Sequence, residues 1–122
     1  MVGTNRFEEA LKFYGALMAE MGAAQVYVTE RNAGWGWGMG TTMFIVTKPF
    51  DREEATIGNG SMVAFDVKTP EMVSKLHAKV LELGGTTAGD PGPRGENLYV
   101  GYCRDLDGNK FNFICYRGAS VP

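Results

Sequence analysis

The sequence repeats itself. A shift of 62 residues lays Gly22 on Gly84 and brings Leu11, Tyr14, Met18 and Met21 onto Val73, Leu76, Val80 and Leu83. Both sets recur at helical spacing, so two amphipathic helices present the same apolar stripe in two successive units. A unit of roughly 60 residues cannot bury a sheet face alone, and the two units are therefore expected to join in one sheet system.

Each unit reads as a strand, a helix, then two or three strands. In the first, Met1–Asn5 is short and extended, and Arg6–Gly22 is the helix, with Asn5 able to cap its start and Gly22 its end. A strand at Ala24–Glu30, a loop at Arg31–Gly40 and a strand at Thr42–Thr47 follow, the last stopped by Pro49, which has no amide hydrogen to give a ladder. Phe50–Gly60 is a polar connection ending in the turn signal Gly58-Asn59-Gly60. The second unit has a strand at Met62–Val67, a helix at Pro70–Leu83 closed by Gly84-Gly85, a glycine- and proline-rich loop, and a hairpin over Asn97–Tyr116. That hairpin turns at Asp107-Gly108-Asn109, where Gly108 and Asn109 tolerate positive φ. Its second arm alternates, with Phe111, Phe113 and Cys115 on one face and Lys110, Asn112, Ile114 and Tyr116 on the other. The whole is expected to be a single domain, with module one at 1–49, a connection at 50–61 and module two at 62–118.

Composition narrows the partners. At 44% hydrophobic, 21% charged and a formal charge of -2, the chain has no basic excess to capture nucleic acid or an anionic membrane. Its apolar runs are too short for a membrane span, and the N-terminus lacks the regions of a signal peptide, so the default placement is cytoplasmic. Cys103 and Cys115 lie on opposite hairpin arms, three or four residues out of register, and read as buried small hydrophobes beyond disulfide reach.

Several segments together resemble the vicinal oxygen chelate superfamily of glyoxalases, bleomycin-resistance proteins and extradiol dioxygenases. They are Val2-Gly3-Thr4-Asn5 before a helix with Phe13-Tyr14, Lys48-Pro49-Phe50-Asp51 leading to Gly58-Asn59-Gly60, Met62-Val63-Ala64-Phe65, and Leu83-Gly84-Gly85. The last is Asp105-Leu106-Asp107-Gly108-Asn109, similar to the family's Asp-Pro-Asp-Gly-Asn turn with Leu106 in place of proline. The resemblance implies an α+β fold of two βαβββ modules whose curved mixed sheets form a cup around a ligand, with helices outside. Val63, Phe65, Phe111, Phe113 and Cys115 then pack on the helices, while Met62, Ala64, Asp66, Asn112 and Ile114 face the cup.

Metal-dependent members of the superfamily hold a divalent ion at four cup positions through His, Glu or similar ligands. Here the matching positions are Met62, Asn112, Ile45 and a place before Met1, so the opening strand of module one starts later than its counterpart. None of the three residues is a competent ligand, and no metal or other cofactor is expected. The single histidine, His77, sits beside the apolar stripe of the second helix and reads as a helix-surface or boundary residue. Asp105 and Asp107 read as turn residues bonding their own backbone.

A metal-free cup leaves its lining to decide function. Trp35 and Trp37, alternating with glycine in the Arg31–Gly40 loop, either clamp an aromatic or extended ligand at the rim or cover the end of the core or a dimer contact. Arg94 offers a cation from a second loop, one of Tyr99 and Tyr102 points inward with Tyr99 as the candidate, and Ile45, Met62 and Asn112 complete the set. The favoured function is binding of a small aromatic or apolar molecule. The alternatives are a glyoxalase-like lyase, isomerase or dioxygenase with non-standard or missing metal ligands, and a dimeric domain with no small ligand. Small members of the superfamily are often dimers, so a homodimer is expected.

Overall fold

The computed structural model describes residues 1–116, and each half of the repeat folds as a strand, a helix and three strands. The first half is β1 (Val2–Gly3), α1 (Phe7–Glu20), β2 (Ala24–Val28), β3 (Asn32–Gly36) and β4 (Met43–Thr47). The second is β5 (Val63–Asp66), α2 (Pro70–Glu82), β6 (Thr86–Arg94), β7 (Leu98–Arg104) and β8 (Lys110–Tyr116). The described residues form two compact units, one of Met1–Ser61 with Leu106–Asn109, the other of Met62–Asp105 with Lys110–Tyr116. The expected end of module two, at residue 118, lies outside the described residues.

In the first unit the strand order is β1-β4-β3-β2, with β1 parallel to β4 through Val2↔Val46 and the other pairs antiparallel. One face of this sheet lies under α1: the Tyr14 ring is 4.8 Å from Phe44, and Phe44, Val46, Ala33 and Trp35 are buried beside it. The helix buries Ala10, Phe13, Tyr14, Leu17 and Met18. Leu11 and Met21 are only half-buried, so the apolar stripe is centred nearer Phe13 and Leu17 than the repeat alone suggests. Gly22 closes the helix as expected, at φ +78° with Ala23 N–H donating to Met18 O at 3.0 Å.

The start of α1 differs from expectation. Arg6 occupies the N-cap without a side-chain cap, and Asn5 instead pairs with Ala55, donating to its carbonyl at 3.0 Å and accepting from its N–H at 2.7 Å. The Asp107 carboxylate also reaches this point rather than only its own turn. It accepts from Thr4 Oγ1 at 2.5 Å and from Asn5 N–H at 2.8 Å, while Asn109 Nδ2 donates to Gly3 O at 2.8 Å. Of the two turn positions expected at positive φ, only Gly108 adopts it, at +93°.

The expected loop at Arg31–Gly40 is largely β3, the strand between β2 and β4. Its glycines hide the strand period because they carry no side chain, yet the close packing explains one of them. A Cβ at Gly34 would lie 2.5 Å from Tyr27 Cε1 and 2.8 Å from Met43 Sδ, so the Tyr27 ring occupies the space over the backbone.

In the second unit the order is β5-β8-β7-β6, with β5 parallel to β8 through Val63↔Phe111. Thr69 caps α2 by accepting from Met72 N–H at 3.1 Å, and Gly84 ends it at φ +99° with Gly85 N–H donating to Val80 O. The helix-side face carries Phe65, Phe111 and Phe113, whose rings lie 5.6 to 6.0 Å apart, as the alternation predicts. Cys103 and Cys115 are buried free thiols that do not face each other in the ladder, where Cys103 is opposite Phe111 and Cys115 is opposite Tyr99. Burial pushes the Cys103 thiol from 9.0 up to about 12.

Two expectations fail in this unit. His77 is buried at 4% exposure, not at the helix surface: a Cβ on Gly101 would sit 3.3 Å from its ring, and its Nε2 lies 2.9 Å from Thr87 Oγ1. The missing side chain at Gly101 makes that room. The glycine- and proline-rich loop is the nine-residue strand β6, paired to β7 with register shifts at Thr87/Gly89 and Gly89/Gly92. An edge strand broken by bulges tolerates Pro91 and Pro93, which a central strand would not.

Candidate functional site

The ladder of the second unit fixes which residues share the face turned away from α2. Cross-strand partners lie on the same face, so Ala64↔Asn112, Tyr102↔Asn112, Val100↔Ile114, Arg104↔Lys110 and Gly89↔Tyr102 place Asn112 at its middle, between Ala64 and Tyr102. The other face carries Tyr99, Gly101 and Cys103, opposite Cys115, Phe113 and Phe111.

Asn112 is 3% exposed, and its Oδ1 has no hydrogen-bond partner among the described residues. Its surroundings are less closed, with Ala64 and Asp66 exposed and Tyr102, Lys110 and Ile114 half-buried. Tyr102 gathers cations: Arg94 Cζ is 5.7 Å and Lys110 Nζ 5.3 Å from its ring centroid. Gly89 allows this, since a Cβ there would lie 3.0 Å from the Tyr102 ring and 3.6 Å from Arg94 Nη2. The Arg94 guanidinium is aimed by donating to Asp90 O at 3.0 Å and Pro93 O at 3.1 Å.

The seven residues singled out in the sequence fall in different places. Asn112 and Arg94 come together on this face through Tyr102. Tyr99 does not join them, because β7 turns it toward α2, where its hydroxyl is 3.5 Å from Ser74 Oγ. Trp35, expected in a mobile rim loop, is 2% exposed on the α1 side of the first unit's sheet. Trp37 is 43% exposed just past β3, and its Nε1–H donates to Met21 O at 2.9 Å, capping the end of α1. Ile45 is on the helix-free face of that sheet opposite Gly34, and Met62 precedes β5 at 45% exposure. Sequence reasoning leaves Tyr99 and Tyr102 open and takes Tyr99 as the candidate, and it misses Lys110 as a site residue. The signal for both is the parity of β7 and β8, which the position of Asn112 already sets.

A separate cavity of about 360 Å³ in the first unit is lined by Arg31, Lys48, Arg52 and Glu53 among others. Arg31 there donates to Pro49 O at 2.6 Å, and Lys48 lies 5.6 Å from the Phe7 ring centroid. None of the seven residues lines it.

Two βαβββ units, each a four-stranded mixed sheet with one helix, are the architecture of the vicinal oxygen chelate superfamily. Among solved structures, a glyoxalase/bleomycin resistance protein from Albidiferax ferrireducens is 35% identical over 94% of this chain and 93% of its own, with a TM-score of 0.85. The chain belongs to the glyoxalase/bleomycin resistance family. A hypothetical protein from S. aureus is 27% identical over 93% of this chain and 88% of its own, at a TM-score of 0.73. A glyoxalase/bleomycin resistance protein/dioxygenase family enzyme from Burkholderia phytofirmans, 18% identical over 94% of each chain with a TM-score of 0.74, shares the fold. No family model and no curated protein matches the chain.

The residues that the resemblance matches to the family's metal ligands are not the donors that a divalent ion takes. Met62, Asn112 and Ile45 supply a thioether, an amide and a hydrocarbon where carboxylate and imidazole donors are needed. Among the described residues no group of three His, Cys, Asp or Glu side chains is placed to hold a metal elsewhere. No helix of the described residues is long and apolar enough to cross a membrane.

Proposed function

We propose that the protein binds a small molecule on the helix-free face of its second unit, at Asn112, without a resident metal ion. The single observation that carries this reading is the buried Asn112 Oδ1, for which no donor exists among the described residues. Leaving such an acceptor unpaired costs about 1–3 kcal/mol, so a native sequence that keeps one calls for an external partner. The amide also stands where metal-dependent relatives present a carboxylate. Tyr102 beside it supplies a flat ring for an aromatic or apolar ligand body.

Self-association belongs to the same reading. The edge strand β2 leaves Val26 and Val28 more than half exposed, a combination of open ladder and apolar side chains that a second copy would cover. Light scattering on the purified protein tests it, with a dimer mass expected and a monomer at all concentrations as the contrary result.

Metal analysis after dialysis, paired with a thermal-shift screen of aromatic small molecules, tests the binding reading. Metal well below stoichiometric and a stabilising ligand are expected, since saturating ligand adds a few kcal/mol by mass action. Stoichiometric zinc, nickel, iron or manganese would contradict the metal-free part. Silence across the screen would contradict binding.

A further inference from the structure

The charges around Asn112 specify more than an aromatic ligand. Arg94 and Lys110 both reach the Tyr102 ring, within 6 Å of its centroid, and Tyr102 faces Asn112 across the ladder. Arg104, opposite Lys110, adds a third positive charge to the same end of the face. Among the described residues Arg94 donates to two backbone carbonyls and Lys110 meets the ring, so neither is given a carboxylate. The acid on this face of β5, Asp66, stands opposite Ile114, four residues along β8 from Lys110 and thus about 13 Å away at strand spacing. Among the described residues the face therefore presents an acceptor lacking a donor, Lys110 two residues along the same strand, and Arg94 across the Tyr102 ring, neither cation set against a carboxylate.

We propose that this face takes a small organic acid carrying a hydroxyl or N–H group near its carboxylate. The ligand's O–H or N–H donates to Asn112 Oδ1, and the carboxylate meets Lys110, two residues along β8 on the same face, with Arg94 on the β6 side of the Tyr102 ring. An aromatic or aliphatic body packs on Tyr102 and Ile114. The inference rests on the binding reading above, but it names a ligand class that the reading does not require.

Calorimetric titration with 3-phenyllactate and N-acetylphenylalanine tests it. Each is compared with its methyl ester, which lacks the carboxylate, and with 3-phenylpropionate, which lacks the donor. The two acids are expected to bind, and loss of either group weakens binding about tenfold or more, because a buried polar site left unmatched discriminates strongly. An Arg94→Gln/Lys110→Gln variant should weaken the acids about tenfold while leaving the esters unchanged. Asn112→Leu should remove the preference for 3-phenyllactate over 3-phenylpropionate. Esters binding as well as acids, or the same preferences persisting in the variants, would overturn the proposal. If neutral arenes bind through Asn112 and no acid is preferred, the acid class falls and the binding reading stands. If neither the acids nor an arene library binds the wild type, both fall. The comparison of ligands on the wild-type protein needs no variant to fold.

Discussion

Replacing Asn112 by leucine should make the ligand-free protein more stable. The side chains are close in size, so the strand and its register, Tyr102↔Asn112↔Ala64, are kept. The substitution removes an acceptor that has no partner among the described residues, which recovers about 1–3 kcal/mol. Burying the two methyl groups adds roughly 1–2 kcal/mol at a position only 3% exposed. Imperfect fit returns up to about 1.5 kcal/mol. The balance is a gain of about 0.5–5 kcal/mol, and for a chain of this length each kcal/mol raises Tm by roughly 3–5 °C. Urea unfolding reads it directly: the midpoint rises with the m-value unchanged. A loss of more than about 1 kcal/mol would mean that Oδ1 has a good partner in solution, and the case for an external one would go with it.

Further outcomes follow from the packing. Trp35→Ala should cost about 3–5 kcal/mol in thermal or urea unfolding, as expected of a buried indole and not of a ligand clamp. Gly34→Ala should destabilise by about 1–3 kcal/mol, because the added carbon meets Tyr27 and Met43 at 2.5 and 2.8 Å. Asp107→Ala removes the acceptor of Thr4 Oγ1 and Asn5 N–H and should lower stability by about 1–3 kcal/mol; an unchanged urea midpoint would contradict it. The Cys103 thiol, raised from 9.0 to about 12, stays protonated in the folded chain when an unfolded chain would ionise. Its contribution is intact below pH 9 and is lost as pH rises toward 12, by up to about 1.4 kcal/mol per pH unit. Wild type should therefore lose more stability than Cys103→Ala between pH 8 and pH 10 in urea titrations.

The sequence is most legible where side chains carry the pattern. The matched stripes of Tyr14, Met18, Leu76 and Val80 locate both helices, and the alternation along β8 is enough by itself to separate Phe111, Phe113 and Cys115 from Asn112. It is least legible where glycine and proline replace side chains. Gly34 and Gly36 hide β3, so Trp35 reads as a loop residue when β-ladder pairing with Phe44 puts it in the core. Pro91, Pro93 and the neighbouring glycines hide β6, whose bulges absorb them. Asn5 is a sound cap by residue type, but its amide is claimed by Ala55, a contact 50 residues away that no local rule reports. In the site, parity along β7 chooses Tyr102 over Tyr99, and that parity depends on a cross-strand register fixed by Arg104↔Lys110.

The proposal that a small molecule binds at Asn112 is tested residue by residue in isotope-edited NMR, with the amide signals followed as an aromatic ligand from the thermal-shift screen is added. Saturable shifts should concentrate on Asn112, its side-chain amide, Tyr102, Ile114 and Ala64. Saturable shifts confined to the Arg31, Lys48 and Arg52 cavity of the first unit, or none at all, would contradict binding at this face.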